Sequence, residues 1–242
     1  MNEWKYDTAA DLDQTLSQRL KNFPREPDMT VFALRSLVAL LIRGWLKLYH
    51  RLEIVGREHL PKDQSFVMVA NHTSHLDAMT IASALPLKKL HRAFPAAAAD
   101  YFFNSVPKTW FSAIVVNALP FDRKVGKRQS IMLCQKLLQN PDGNVLILFP
   151  EGTRSTTGKI NPFKPGIGLL LAGTDIPVVA CHLDGAFHAW PKGKLFPLPR
   201  KLRLVIDQPK SFEHLSMGKE NVLNISQSLE DDVKHLGQSI AE

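Results

Sequence analysis

Ser65-Phe66-Val67-Met68-Val69-Ala70-Asn71-His72-Thr73-Ser74-His75-Leu76-Asp77 begins as an unbroken apolar run and ends as a polar loop. Six residues from Ser65 to Ala70 show no polar alternation, the mark of a strand covered on both faces in a parallel sheet. Leu76–Leu85 then reads as a helix. A second stretch of the same kind is Asn144–Phe149, NVLILF, followed by Pro150-Glu151-Gly152-Thr153-Arg154-Ser155. Outward from these two, Arg92–Ala97, Ala113–Leu119, Pro177–Leu183 and Leu202–Ile206 read as strands. Ser130–Leu138, Gly166–Ala172 and Asn221–Ile240 read as helices. Strands alternating with helices predict an α/β fold with a mainly parallel central sheet flanked by helices. Ligands of such sheets sit beyond the carboxyl ends of strands. The polar stretches after Ala70 and after Phe149 both occupy that place.

The 242 residues suit one large domain with a small appendage. We divide them into an α/β domain at 53–242 and an N-terminal helical segment at 1–52. Residues 1–28 read as a polar helical lead-in that stops at Pro24 and Pro27. The first residues, MNEWKYDTAADLDQ, are polar and acidic, so no secretory leader is expected. Met29–Leu52 is apolar, but Arg35, Arg43, Lys47 and Arg51 interrupt it, which argues against a conventional membrane span. On a helical projection Leu34, Leu37, Val38, Leu41, Ile42, Trp45, Leu48, Tyr49 and Leu52 share one face, opposite Arg35, Ser36, Arg43, Lys47, His50 and Arg51, with Phe32, Leu40 and Leu46 as apolar exceptions on the polar side. Such a helix suits the plane of an anionic bilayer surface. A surface helix packing its apolar face on the core would show the same pattern. Two cysteines, Cys134 and Cys181, rule out a disulfide scaffold.

Of the net charge of +7, residues 29–212 hold 24 basic against 11 acidic side chains, while both ends of the chain are acidic. A basic body points to an anionic partner. Nothing in it matches a nucleic-acid-binding motif, so the expected partner is not nucleic acid.

Asn71-His72-Thr73-Ser74-His75-Leu76-Asp77 sets a histidine five residues before an aspartate. The imidazole can take a proton from a hydroxyl near neutral pH, and the carboxylate can hold its tautomer. Five residues span about 500° of a regular helix, so the pair meets only if His72 lies in the turn and Asp77 in the first helical turn. Ser74-His75-Leu76-Asp77 also resembles a capping box, in which Asp77 would serve the helix start alone. The His72-x-x-His75-x-Asp77 spacing does not match binuclear metal hydrolases. HExxH, Cys-x-x-Cys and GxSxG are absent, so neither a metal nor a serine nucleophile is expected. In the second loop Arg154 offers a planar fork for phosphate, and Gly152 lets backbone approach a ligand. A surface turn with an internal Glu151–Arg154 pair is the plainer alternative. Gly152-TRSTT-Gly158-Lys159 imitates a phosphate-binding P-loop but has five residues between its glycines where four are required.

Taken together these pieces resemble the glycerolipid acyltransferases, the 1-acyl-glycerol-3-phosphate (lysophosphatidate) acyltransferases in particular. Four motifs carry the resemblance across about residues 53–210: Asn71-His72-x4-Asp77; Leu119-Pro120-Phe121-Asp122-Arg123; Phe149-Pro150-Glu151-Gly152-Thr153-Arg154-Ser155 with Phe163-Lys164-Pro165-Gly166; and Ile176-Pro177-Val178-Val179. The resemblance implies transfer of a fatty acyl chain from acyl-CoA or acyl-carrier protein to a lysophospholipid hydroxyl. It implies His72 as general base, Asp77 as its orienting partner, and Arg123, Glu151, Gly152, Thr153, Arg154 and Lys164 at the acceptor. No cofactor beyond the donor is implied. The chain departs from the family at Ala118, where glycine is frequent, and at Ala180-Cys181, where a second proline is usual. With the amphipathic helix, the expectation is a monotopic enzyme on the cytoplasmic face of an anionic membrane. The competing reading is a non-catalytic lipid- or acyl-carrier-binding protein on the same scaffold.

Overall fold

A computed structural model of the chain describes residues 29–98, 117, 119–121, 127–140 and 143–239. Among the described residues are seven strands: β1 (Glu53–Val55), β2 (Phe66–Ala70), β3 (Ala93–Ala98), β4 (Leu119–Phe121), β5 (Val145–Leu148), β6 (Val178–Asp184) and β7 (Arg203–Ile206). They form one sheet in the order β1-β7-β6-β2-β5-β3-β4. Every pairing is parallel except β6 with β7, which is antiparallel. The helices are α1 (Met29–Leu48), α2 (Asp77–Ala84), α3 (Leu87–Leu90), α4 (Lys127–Leu138), α5 (Gly166–Leu171), α6 (Ala186–Ala189) and α7 (Lys219–Gln238).

The two apolar runs are neighbours at the centre. Val67 pairs with Leu146 and Met68 with Ile147, while the other edge of β2 pairs with β6. All five residues of β2 are buried because successive side chains enter different layers. Phe66, Met68 and Ala70 join Leu76, Ile81, Leu85 and Leu204 on one face. Val67 and Val69 join Leu146, Ile167, Leu171, Ile225 and Leu229 on the other. The expected α/β architecture is thus formed, with helices covering both faces of the sheet. The strand expected at Ala113–Leu119 falls largely outside the described residues, as does the lead-in over 1–28; β4 begins only at Leu119. Short β1, α3 and α6 carry too few residues for periodicity to register.

Parallel pairing puts the carboxyl ends of β2 and β5 at the same edge, so Asn71–Asp77 and Pro150–Ser155 emerge side by side. Asn71 locks this end of the sheet. Its Nδ2 donates to Leu183 O at 3.0 Å and its Oδ1 accepts from Leu183 N at 2.8 Å.

α1 is oriented against the rule for a soluble protein. Arg35 is only 7% exposed, and Leu46 is wholly buried. Ile42 and Trp45 pack beside Leu46 against the core. Arg43 donates to Leu85 O and Arg57 to Ala84 O, so two cations meet the carbonyl end of α2. Leu34, Leu37, Leu41 and Leu48 form one outward stripe and are all exposed, Leu41 to 65%. α1 therefore turns Arg35, Arg43, Ile42, Trp45 and Leu46 toward the domain, and the leucine stripe, with Lys47, outward. Lys47 lies in the last turn and Arg51 beyond the helix; by length and composition alone the described helix is apolar enough to cross a bilayer. Length and composition alone do not separate a span from a helix lying at the surface.

α5 meets α7 with no room to spare. A Cβ at Gly168 would lie 2.0 Å from the backbone oxygen of Val222. Gly168→Ala should cost about 1–3 kcal/mol, the range for overpacking, seen as a lower urea midpoint; an unchanged midpoint would show that α7 docks loosely.

Candidate active site

Asp77 is fully buried at the start of α2, and a single oxygen organises the loop before it. Its Oδ2 accepts from His72 Nδ1 at 2.8 Å, from Thr73 N at 2.7 Å and from Ser74 N at 2.8 Å. The carboxylate thus bonds loop amides ahead of the helix; α2 begins at Asp77 with Leu76 as its N-cap and no side-chain cap bond, and Ser74 Oγ turns to Trp190 O, so the capping box read in the sequence does not form. With Nδ1 bonded to Asp77, Nε2 is the ring nitrogen that the carboxylate leaves available. The ring is partly open to solvent and stacks on Phe149, centroids 4.2 Å apart.

Glu151 links the two loops. It is 2% exposed; Oε1 accepts from His72 N at 2.6 Å, and Oε2 accepts from Asn161 N and Nδ2, each at 2.9 Å. Burial pushes its carboxyl above the usual range, while the hydrogen bonds from Asn161 and His72 pull the other way. Ser155 N donates to His72 O at 2.8 Å, completing the link. Both carboxylate oxygens of Glu151 are thus engaged by protein donors.

The remaining residues lie on the outer side of the second loop. Gly152 has φ of +73°, and a Cβ there would sit 2.3 Å from Lys164 Nζ. Glycine takes this left-handed turn without strain, and the absent side chain leaves room for the Lys164 ammonium. Thr153 is exposed and Arg154 half-buried. An Arg154 Nη1 lies 2.6 Å from the ring nitrogens of His75. Burial, and then the nearby guanidinium, hold His75 below the usual imidazole pKa, which suits a neutral ring accepting that contact. Glu230, buried on α7, accepts from Phe163 N at 2.7 Å and so steadies the segment that carries Lys164. Arg123 lies outside the described residues; β4 ends two residues before it. Among the described residues no cluster of three or more His, Cys, Asp or Glu is placed to hold a metal ion.

A family model described as Acyltransferase matches residues 51–184, more than half of the chain. The chain belongs to the acyltransferase family. This acyltransferase is 28% identical over 204 residues to the 1-acyl-sn-glycerol-3-phosphate acyltransferase of Bacillus subtilis, covering 82% of this chain and 92% of that one. It is 30% identical over 165 residues to the chloroplastic 1-acyl-sn-glycerol-3-phosphate acyltransferase BAT2 of Brassica napus, covering 66% of this chain. The match spans 45% of the Brassica protein, slightly under half its length. The crystal structure of the 1-acyl-sn-glycerophosphate (LPA) acyltransferase PlsC from Thermotoga maritima superposes with a TM-score of 0.63 at 26% identity, covering 86% of this chain and 78% of that one.

Asn71, Phe149 and Asn161 are parts of this acyltransferase's site architecture that residue chemistry did not single out. Asn71 had a signal, a polar side chain ending an apolar strand. Asn161 had none, because its bond to Glu151 depends on how the intervening turns close. Glu151→Ala would remove the acceptor of the part-buried N–H groups of His72 and Asn161, at up to about 1–3 kcal/mol each. Urea unfolding should register that loss together with a fall in kcat at little-changed acceptor KM. A raised KM at unchanged stability would instead make Glu151 a ligand-contacting group.

Proposed function

We propose that this acyltransferase moves a fatty acyl chain from an acyl thioester, acyl-CoA or acyl-carrier protein, to the free hydroxyl of 1-acyl-glycerol-3-phosphate or a related lysophospholipid. The observation that carries the reading is the 2.8 Å bond from His72 Nδ1 to the buried Asp77 carboxylate, which aims Nε2 outward beside the basic loop. Relatives named 1-acyl-sn-glycerol-3-phosphate acyltransferases support the acceptor class.

In the proposed step the acceptor hydroxyl oxygen attacks the thioester carbonyl carbon while His72 Nε2 takes its proton. Asp77 stabilises the imidazolium that forms. The carbon–sulfur bond then breaks, the ester remains on the acceptor, and His72 returns the proton to the departing thiolate. Gly152, Thr153, Arg154 and Lys164 hold the acceptor's phosphate and glycerol, with Arg123 joining them. Arg154 supplies a fork, whereas Lys164 supplies a point charge over the Gly152 turn.

The partner surface in this reading is an anionic phospholipid membrane. The exposed leucine stripe of α1 enters the bilayer surface, and the thioester carrier arrives from the cytoplasmic side. Arg35 and Arg43 face the domain, so apolar contact rather than the basic side of α1 drives the attachment.

His72→Ala should lower kcat by about 10²–10⁴-fold, the usual loss for a general base, and Asp77→Asn should also lower it. Steady-state assays with lysophosphatidate and acyl-CoA or acyl-carrier protein, on protein whose circular dichroism is unchanged, measure this. Normal turnover in folded His72→Ala would leave Asp77 as a helix-start carboxylate only and favour a lipid- or carrier-binding role. Leu37→Asp together with Leu41→Asp should move the protein from the vesicle pellet to the supernatant at unchanged melting temperature. Continued pelleting would place the membrane contact elsewhere.

A further inference from the structure

The segment between α6 and β7 is a closed loop with an apolar tip. Leu195 and Phe196 are 78% and 75% exposed, and Leu198 is exposed beside them. Lys192 and Lys194 precede the tip, and Arg200 and Lys201 follow it. The loop is braced from within. Trp190 Nε1 donates to Lys194 O at 2.9 Å, Lys194 N to Pro191 O at 3.2 Å, and Leu198 N to Ala189 O at 2.8 Å. It is also tied to the chain just beyond α1, where Tyr49 Oη donates to Pro197 O at 3.2 Å.

We propose that this loop is a second membrane-contact element. Leu195, Phe196 and Leu198 enter the boundary between headgroups and acyl chains of an anionic bilayer, and the flanking cations meet lipid phosphates. The inference rests on the reading of α1 as membrane-facing. Two features select a bilayer over a protein partner. Apolar residues between cations match the layered chemistry of a lipid surface, apolar below and anionic above. The Tyr49–Pro197 bond joins the loop to the end of α1 where Leu48 is exposed, so the loop continues the face already assigned to lipid. Lys201 is partly engaged by Glu53 at 2.7 Å, which leaves Lys192, Lys194 and Arg200 as the main phosphate contacts.

The base of the loop is bonded to the catalytic segment. Ser74 Oγ donates to Trp190 O at 2.8 Å, and His75 N donates to the same oxygen at 3.2 Å. Seating the tip in the bilayer therefore sets the height of His72 above the lipid surface, where an acceptor hydroxyl must reach it.

The test uses the full chain with Phe196→Cys carrying an environment-sensitive thiol dye. Both native cysteines are buried, so the label is site-specific. The expected result with phosphatidylcholine–phosphatidylglycerol vesicles is a blue shift, quenched by lipids brominated on the acyl chain and weakened by salt. In unlabelled protein, Leu195→Ser with Phe196→Ser should reduce vesicle affinity on the order of tenfold or more. The same variant should lose activity on vesicle-borne acceptor but keep it on detergent-dispersed acceptor. Labelled protein that pellets with vesicles without a shift overturns the loop assignment and leaves the α1 reading standing. Protein that does not pellet overturns both. A shift seen without lipid and lost on dilution means self-association through the tip and also overturns the proposal.

Discussion

One carboxylate oxygen, Asp77 Oδ2, is the constraint on which the rest of the site depends. It is held away from water and accepts three hydrogen bonds within one short loop. Burying a carboxylate is costly unless donors replace its hydration. Two of the donors here are backbone N–H groups, which can reach it only if the chain leaves β2 in one particular turn. The third is the imidazole, whose orientation is thereby determined as well. The loop shape and the orientation of the histidine ring are thus set by the same atom.

A second buried carboxylate, Glu151, extends that order across the sheet. It fastens the backbone of His72 to the loop after β5 and to Asn161 beyond. Parallel pairing of β2 with β5 makes this possible by delivering both loops to the same edge. The outcome is a division of labour. The acidic groups face inward and set geometry, while Gly152, Thr153, Arg154 and Lys164 form the outer, cationic rim. The sign of that rim suits a phosphate-bearing acceptor, in line with the basic body of the chain.

The same inversion governs α1. Arg43 and Arg57 meet the carbonyl end of the helix whose first residue is Asp77, so α1 and the site share a rigid support. Leucines that would form a core in water are left outside. A helix placed this way is stable in bulk water only at the expense of a large exposed apolar surface. This is the physical ground of the proposal that the outer face of α1 meets lipid.

By itself the sequence determined the class of fold and most of the chemistry. Unbroken apolar runs such as Phe66–Ala70 and Val145–Leu148 can be satisfied only by burial on both faces, which dictates a covered parallel sheet. The His72–Asp77 spacing, with the basic loop after Phe149, marked the residues that meet at the strand ends. Three matters were decided only by the tertiary structure. Glu151 turned inward because Asn161 and the His72 amide converge on it, a meeting that no spacing encodes. Asp77 proved to hold the imidazole and the loop amides before it without capping α2, an alternative that local sequence cannot separate from a capping box because both require the same carboxylate at the same position. The direction of the apolar face of α1 was equally open, since periodicity shows that a helix has two faces and not which one meets the protein. That depends on what the neighbouring helix offers, and here the bare carbonyls at the end of α2 drew the arginine side inward.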